Sequence, residues 1–135
     1  MPLKHEDLTD KIIGAFYDVY NTLGPGFLEK VYENALYVEL TKRGLIVEQQ
    51  KAIKVYYDSH PVGDYYADLI VNNAVIIEVK AAEGVCVANE AQLYNYLKAT
   101  EIEVGLLLNF GAMPEFRRKF LTNDRKPFGS PKSRR

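Results

Sequence analysis

The hydrophobic pattern of the chain predicts an α/β domain of three layers, with a small mixed sheet of four to five strands and helices on both of its faces. Three observations predict it. Apolar residues recur at helical spacing as far as about residue 43 and then, from Ile46, at the spacing of strands. A helix-length segment at 89–99 separates two strongly apolar strand segments, 74–81 and 104–109. That segment has the length of a crossover between parallel strands, which a tight turn cannot join.

The elements follow in order. Thr9 is placed to cap a helix from Asp10 to about Leu23, with Ile12, Ile13, Phe16, Val19, Tyr20 and Leu23 as its apolar stripe and Gly24 as its stop. After Pro25-Gly26, a second helix runs to about Arg43 and closes at Gly44. Glu29, Glu33, Leu36 and Leu40 fall in one row of that helix, with Tyr32 beside them. Two carboxylates heading an apolar row are unusual, and attraction to the positive helix N-terminus is one explanation.

Ile46 to Gln50 and Ala52 to Tyr57 read as strands joined near Lys51, and Asp58-Ser59-His60-Pro61 reads as a turn with His60 at the surface. Two runs rich in Val and Ile flank Asn72-Asn73 between Tyr65 and Ala81, the pattern of a hairpin in the middle of a sheet. A loop at 82–88 leads to a helix ending near Ala99, which Asn89 can cap with Gln92 three residues on. Gln92 and Tyr96, four apart, share a face. Val104 to Asn109 is a buried strand, and Arg117 to Leu121 a last edge element.

The central hairpin carries three charges that such strands normally exclude: Asp68, Glu78 and Lys80. Their neighbours on both sides are apolar, so both sheet faces are covered and each charge needs a partner or a metal. Glu78 and Lys80 share a face by strand alternation. A two-residue turn at Asn72-Asn73 would pair Asp68 with Ile77 and separate the acids. A three-residue turn, Asn72-Asn73-Ala74, sets Asp68 opposite Glu78, and that register is the one expected. Two adjacent carboxylates do not both ionise readily without a cation between them, and an all-oxygen pair suits Mg²⁺ or Mn²⁺ better than zinc. The same charges also suit a salt bridge at a strand end, with Lys80 facing solvent.

Composition bounds the function classes. At 135 residues the chain is one domain, expected to run over 1–121 with a flexible basic tail at 122–135. No apolar run approaches the roughly 20 residues of a membrane helix, and the first ten residues lack the apolar core of a signal peptide. The single cysteine, Cys86, excludes an internal disulfide and a cysteine zinc cage, and reads as an ordinary loop residue; a cytoplasmic location is the expectation. Residues 1–112 hold nine Lys/Arg against 16 Asp/Glu, whereas 113–135 hold eight against two. A basic end on an acidic body suits a phosphate backbone, and suits a solvated terminus equally well.

Several stretches together resemble one family. Asp68, ten positions before Glu78-x-Lys80, is similar to the signature of the PD-(D/E)XK nuclease superfamily. The wider sequence resembles its small prokaryotic branch named for a GxxExxY motif, here Gly26, Glu29 and Tyr32 in LGPGFLEKVYENAL. Further matches are ADLIV around Asp68, IIEVKA around Glu78 and Lys80, AQLYNYLKAT at 91–100 and GLLLNFG at 105–111. Ala67 departs from the Pro of the superfamily name. The resemblance covers residues from about 10 to 120 and implies a restriction-endonuclease-like core and metal-dependent hydrolysis of a nucleic-acid phosphodiester, in DNA first. By the same resemblance Asp68, Glu78 and the Val79 carbonyl hold the metal, and Glu29 completes the acidic set, with Tyr32 packed or hydrogen-bonded beside it and Glu33 in reserve. Lys80 orients or activates water. Gln92 and Tyr96 match the Gln-x-x-x-Tyr spacing of RecB-like nucleases; a cap plus a packed tyrosine explains them too.

Two other classes stand beside the enzyme. One is a nuclease-fold module that binds nucleic acid or a partner with little catalysis of its own. The other is a structural homo-oligomer with an empty acidic pocket. So small a domain covers little duplex, which favours a homodimer, although no residue demonstrates one.

Overall fold

Helix α1 (Glu6–Leu23) and helix α2 (Glu29–Lys42) open the chain in the computed structural model, which describes residues 4–126. Helix α1 starts four residues before Asp10. Thr9 lies inside it, and its buried hydroxyl donates to the Glu6 carbonyl (3.1 Å) rather than capping. Glu6 and Asp7 in the first turn suit the positive end of the helix. Gly24 ends the helix as expected, at φ +69°, and its N–H bonds the Tyr20 carbonyl.

Five strands follow: β1 (Val47–Tyr57), β2 (His60–Val71), β3 (Val75–Lys80), β4 (Val104–Phe110) and β5 (Pro114–Phe120), with helix α3 (Val87–Ala99) between β3 and β4. They form one sheet in chain order. Every neighbouring pair is antiparallel except β3 and β4, which α3 joins as a crossover. Helices α1 and α2 cover one face, where Ile12, Phe16, Leu36 and Leu40 pack with Leu69, Ile77, Leu106 and Leu108. Helix α3 covers the other, where Leu93 and Leu97 pack with Ile70, Ile76 and Leu107. This is the three-layer α/β arrangement of a restriction-endonuclease-like core.

The central hairpin has the expected register. Val71 pairs with Val75, Ile70 with Ile76 and Leu69 with Ile77, around a three-residue turn in which Asn72 and Asn73 both hold φ +52°. Asn tolerates that left-handed region better than most residues. The turn is also tied to the strand beside it, since the Asn72 side-chain oxygen accepts the Ile46 N–H at 2.8 Å.

Other expectations need correction. The two expected strands, Ile46–Gln50 and Ala52–Tyr57, are one strand, β1, which starts at Val47, because pairing with β2 lapses only at Gln50, at φ +54°, and resumes at Lys51. The turn that follows is only Asp58-Ser59, both at positive φ, as a two-residue hairpin loop requires. His60 and Pro61 belong to β2, where His60 pairs with Tyr57. Pro61 is tolerated beside a register irregularity at Val55/Tyr56. Helix α3 begins at Val87 with Cys86 as its cap residue, and the Cys86 carbonyl accepts the Asn89 and Glu90 N–H groups, so Asn89 is not the cap. Strand β5 starts three residues before Arg117.

Residues 122–126, the start of the expected tail, hydrogen-bond back to the domain. The Asn123 N–H bonds Glu103 Oε2 at 2.7 Å, and the buried Lys126 Nζ donates to the Thr100 and Ile102 carbonyls. The remainder of the expected tail, 127–135, lies outside the described residues.

Candidate active site

The pairing of β2 with β3 stops at Leu69 and Ile77, one residue short of the acids. Where the next backbone bonds would form, side chains take their place. Glu78 Oε1 accepts the Asp68 N–H at 3.2 Å, and Asp68 Oδ2 accepts the Val79 N–H at 2.8 Å. Two carboxylates, one from each strand, therefore occupy the gap in the ladder. The three-residue turn sets them opposite each other, as the register argument requires.

A second irregularity lies on the other side of Asp68. Gln49 pairs with Leu69 and Lys51 with Ala67, yet the intervening Gln50–Asp68 pair is absent. Gln49 and Leu69 turn toward α2 and its core. Ile53 and Ala67, each an even number of residues further along, pack on the α3 side. A regular pleat keeps such residues on one face. The ribbon thus reverses its faces at Gln50 and Asp68, with Gln50 in the left-handed region.

This reversal brings an acid of α2 into the network. Glu33 is only 4% exposed, and both its oxygens accept from Gln50 Nε2 at 3.1 Å, while the same amide reaches Asp68 Oδ1 at 3.3 Å. Gln49 Nε2 bonds Glu33 Oε2 at 2.6 Å, and Lys30 Nζ reaches that oxygen from the surface at 2.9 Å. Glu29 is a correction: it is exposed on the first turn and takes part in none of these bonds. The rotation of α2 is set by burying Tyr32, Leu36 and Leu40, which turns position 33 toward the sheet and leaves position 29 outside. Tyr32 does not bond Glu29 either. Its hydroxyl donates to the Gly24 carbonyl (2.6 Å) and accepts the Phe27 N–H (3.1 Å), holding the α1–α2 connection, while its ring stacks on Phe110.

Electrostatics mark the pair. Burial, then the charge of Asp68, pushes the Glu78 carboxyl up to about 9 from an ordinary 4.5. Burial also raises Asp68, against the opposing Val79 N–H, with the charge of Glu33 adding to the rise. The charge of Lys80 opposes both shifts, but none of the ion pairs among the described residues includes it. Lys80 lies two residues beyond Glu78 at the end of β3, half-buried, paired in register with Asn109. Helix α3 borders the site through Tyr96, whose hydroxyl is pushed up to about 12 by burial and then by the charge of Glu78. Gln92 Nε2 donates to that hydroxyl at 3.0 Å, and the half-exposed Tyr65 packs its ring 5.7 Å from that of Tyr96.

Sequence reasoning missed Gln50 and Asn109. Asn109 is fully buried in β4; its amide accepts the Ala82 N–H (2.9 Å) and donates to the Ala82 carbonyl (3.1 Å). It thereby clamps the chain just past Lys80. The backbone approaches so closely that a Cβ on Gly111 would lie 1.9 Å from the Ala82 oxygen. The motif GLLLNFG contained this signal: a polar residue inside an otherwise apolar strand needs a partner.

Among the described residues, no group of three or more His, Cys, Asp and Glu side chains is arranged to hold a metal ion by itself. The donor set still fits a hard divalent cation that keeps several of its waters, since one or two carboxylates suffice for such an ion. The chemistry of the pair argues the same way. Burial raises both carboxyls and the charge of Asp68 raises Glu78 further, so a cation between them would favour the ionised form of each.

Gapped ladder, acid pair and adjacent lysine together form one site at the end of β3. A family model of the PD-(D/E)XK nuclease superfamily matches residues 6–119, and the chain belongs to that superfamily. The GxxExxY branch is compatible with this assignment. The crystal structure of SSO0001 is similar in fold, with a TM-score of 0.56 at 15% identity. The likeness covers 90% of this chain and 62% of that one, so this chain spans less than two thirds of its length. No curated protein matches. Among the described residues no helix is long and apolar enough to cross a membrane.

Proposed function

We propose that the protein is a divalent-metal-dependent nuclease that hydrolyses phosphodiester bonds, with DNA as its substrate. The observation that carries this reading is the Asp68–Glu78 pair in the β2–β3 gap, Glu78 buried and Asp68 partly so, with Lys80 two residues on. Asp68, Glu78 and the Val79 carbonyl would hold Mg²⁺ or Mn²⁺, and Glu33 takes the place expected of Glu29. Such an ion lowers the pKa of a bound water and neutralises charge on the phosphoryl oxygens.

The chain's own groups do the rest. The Lys80 ammonium donates hydrogen bonds to the attacking water and to the oxygens on which charge develops. Water oxygen bonds phosphorus as the bond to the leaving sugar oxygen breaks, the attacking water gives up a proton to solvent, and the leaving oxygen takes up one from solvent. Gln92 and Tyr96 position the substrate or the lysine from α3. A cytoplasmic setting and a homodimer on duplex belong to the same reading.

The test is incubation of purified protein with linear, circular and single-stranded DNA and with RNA, in Mg²⁺, Mn²⁺ or EDTA, beside Asp68→Ala and Lys80→Ala. Metal-dependent cleavage of DNA that Asp68→Ala abolishes is expected, with a loss of about 100-fold or more for Lys80→Ala. Binding without cleavage would instead place the chain with the nuclease-fold binding modules.

A further inference from the structure

Gln49 and Gln50 are consecutive in β1, and in a regular strand their side chains would point to opposite faces. Here both bond the carboxylate of Glu33. The convergence coincides with the positive φ of Gln50, a conformation that non-glycine residues adopt at a cost and that persists where the surroundings over-determine it. The Gln50 amide spans two elements, Glu33 on α2 and Asp68 on β2, seventeen and eighteen residues away in sequence.

Residue type matters at such a junction. A lysine or arginine would reach the same oxygens but would neutralise them and compete with a cation. A carboxylate would repel both neighbours. An amide donates hydrogen bonds without bringing charge. Resting on the divalent-cation reading above, we propose that Gln50 is the positioning residue of the cation site. Its neutral amide holds Glu33 against Asp68 and, with Gln49, fixes the Glu33 carboxylate, so that α2 supplies a third acid with no positive charge added to the one Lys30 already brings from the surface.

Cation binding is the readout, separate from cleavage. Calorimetric titration of metal-free protein with Mn²⁺ should show about 10- to 100-fold weaker binding in Gln50→Gly and Gln50→Ala, the range found when a supporting partner of a metal ligand is removed. Gln50→Lys should bind more weakly still. Glycine occupies positive φ freely, so Gln50→Gly should keep its melting temperature while losing affinity, a separation that a merely structural role would not produce. In a Glu33→Gln background, Gln50→Gly should cause no further loss, because both changes remove one interaction.

Wild-type Mn²⁺ affinity in Gln50→Gly and Gln50→Lys overturns the inference, as do additive effects of the Glu33 and Gln50 changes. Asp68→Ala separates the levels. If wild type binds Mn²⁺ through Asp68 while the Gln50 variants bind equally well, only this inference fails. If wild type binds no Mn²⁺, the inference and the metal-dependent reading fail together.

Discussion

Glu78 shows what a single residue reveals about this site. Its carboxyl is pushed up to about 9, so without a cation the folded chain keeps a proton that the unfolded chain releases above 4.5. The stability from that proton is fully present below 4.5, declines as pH rises, and is lost as pH passes through about 9. Asp68 is shifted in the same direction. In EDTA, Glu78→Gln should therefore melt close to wild type at about pH 5 and above it at about pH 8. Thermal denaturation at the two pH values checks this. A variant less stable than wild type at the higher pH would show that Glu78 is already paired with positive charge. Lys80 is legible as an anomaly from sequence, a charge at the end of an apolar strand, but that no ion pair among the described residues includes it is not, because this depends on where the acids of other elements come to lie.

At the scale of elements, the end of β3 is held by a neighbour. Asn109 satisfies both polar groups of Ala82, and Gly111 leaves room for the Ala82 carbonyl. Asn109→Leu would leave two backbone groups without partners and should cost about 2 kcal/mol or more. Gly111→Ala forces the strand ends apart and should cost about 1–3 kcal/mol. Urea unfolding midpoints measure both, and the positional loss should also lower the activity that depends on Lys80. The hairpin register was legible, because one residue of slip would have put Glu78 on the face opposite Asp68. The kink at Gln50 was not, since glutamine carries no turn signature and only the approach of α2 gives its side chain something to hold. The α3 cap failed for a related reason: Asn89 and Gln92 spell a capping box, but the helix extends past it to Cys86 and Gln92 turns to Tyr96.

For the whole molecule, the site joins three elements, so a ligand there should stabilise the fold and not only a loop. If Mn²⁺ binds the folded chain alone, a concentration a hundred times its dissociation constant should add about 2.7 kcal/mol of stability. The melting temperature should rise with Mn²⁺ in wild type, fall back with EDTA, and stay flat in Asp68→Ala. A rise of equal size in Asp68→Ala would place the ion elsewhere.

The three-layer class and the crossover helix follow from the sequence alone, as does a hairpin at Asn72-Asn73 whose three-residue form opposes Asp68 to Glu78. Each is a periodicity or a turn preference acting between residues close along the chain. The tertiary structure alone decided that Glu33 and not Glu29 faces the acids, that Gln50 bridges them and that Asn109 secures the strand end. Glu29 and Glu33 stand one helical turn apart and look alike in sequence. The choice between them is the rotation at which α2 buries Tyr32, Leu36 and Leu40 against the sheet, a packing condition set by distant residues.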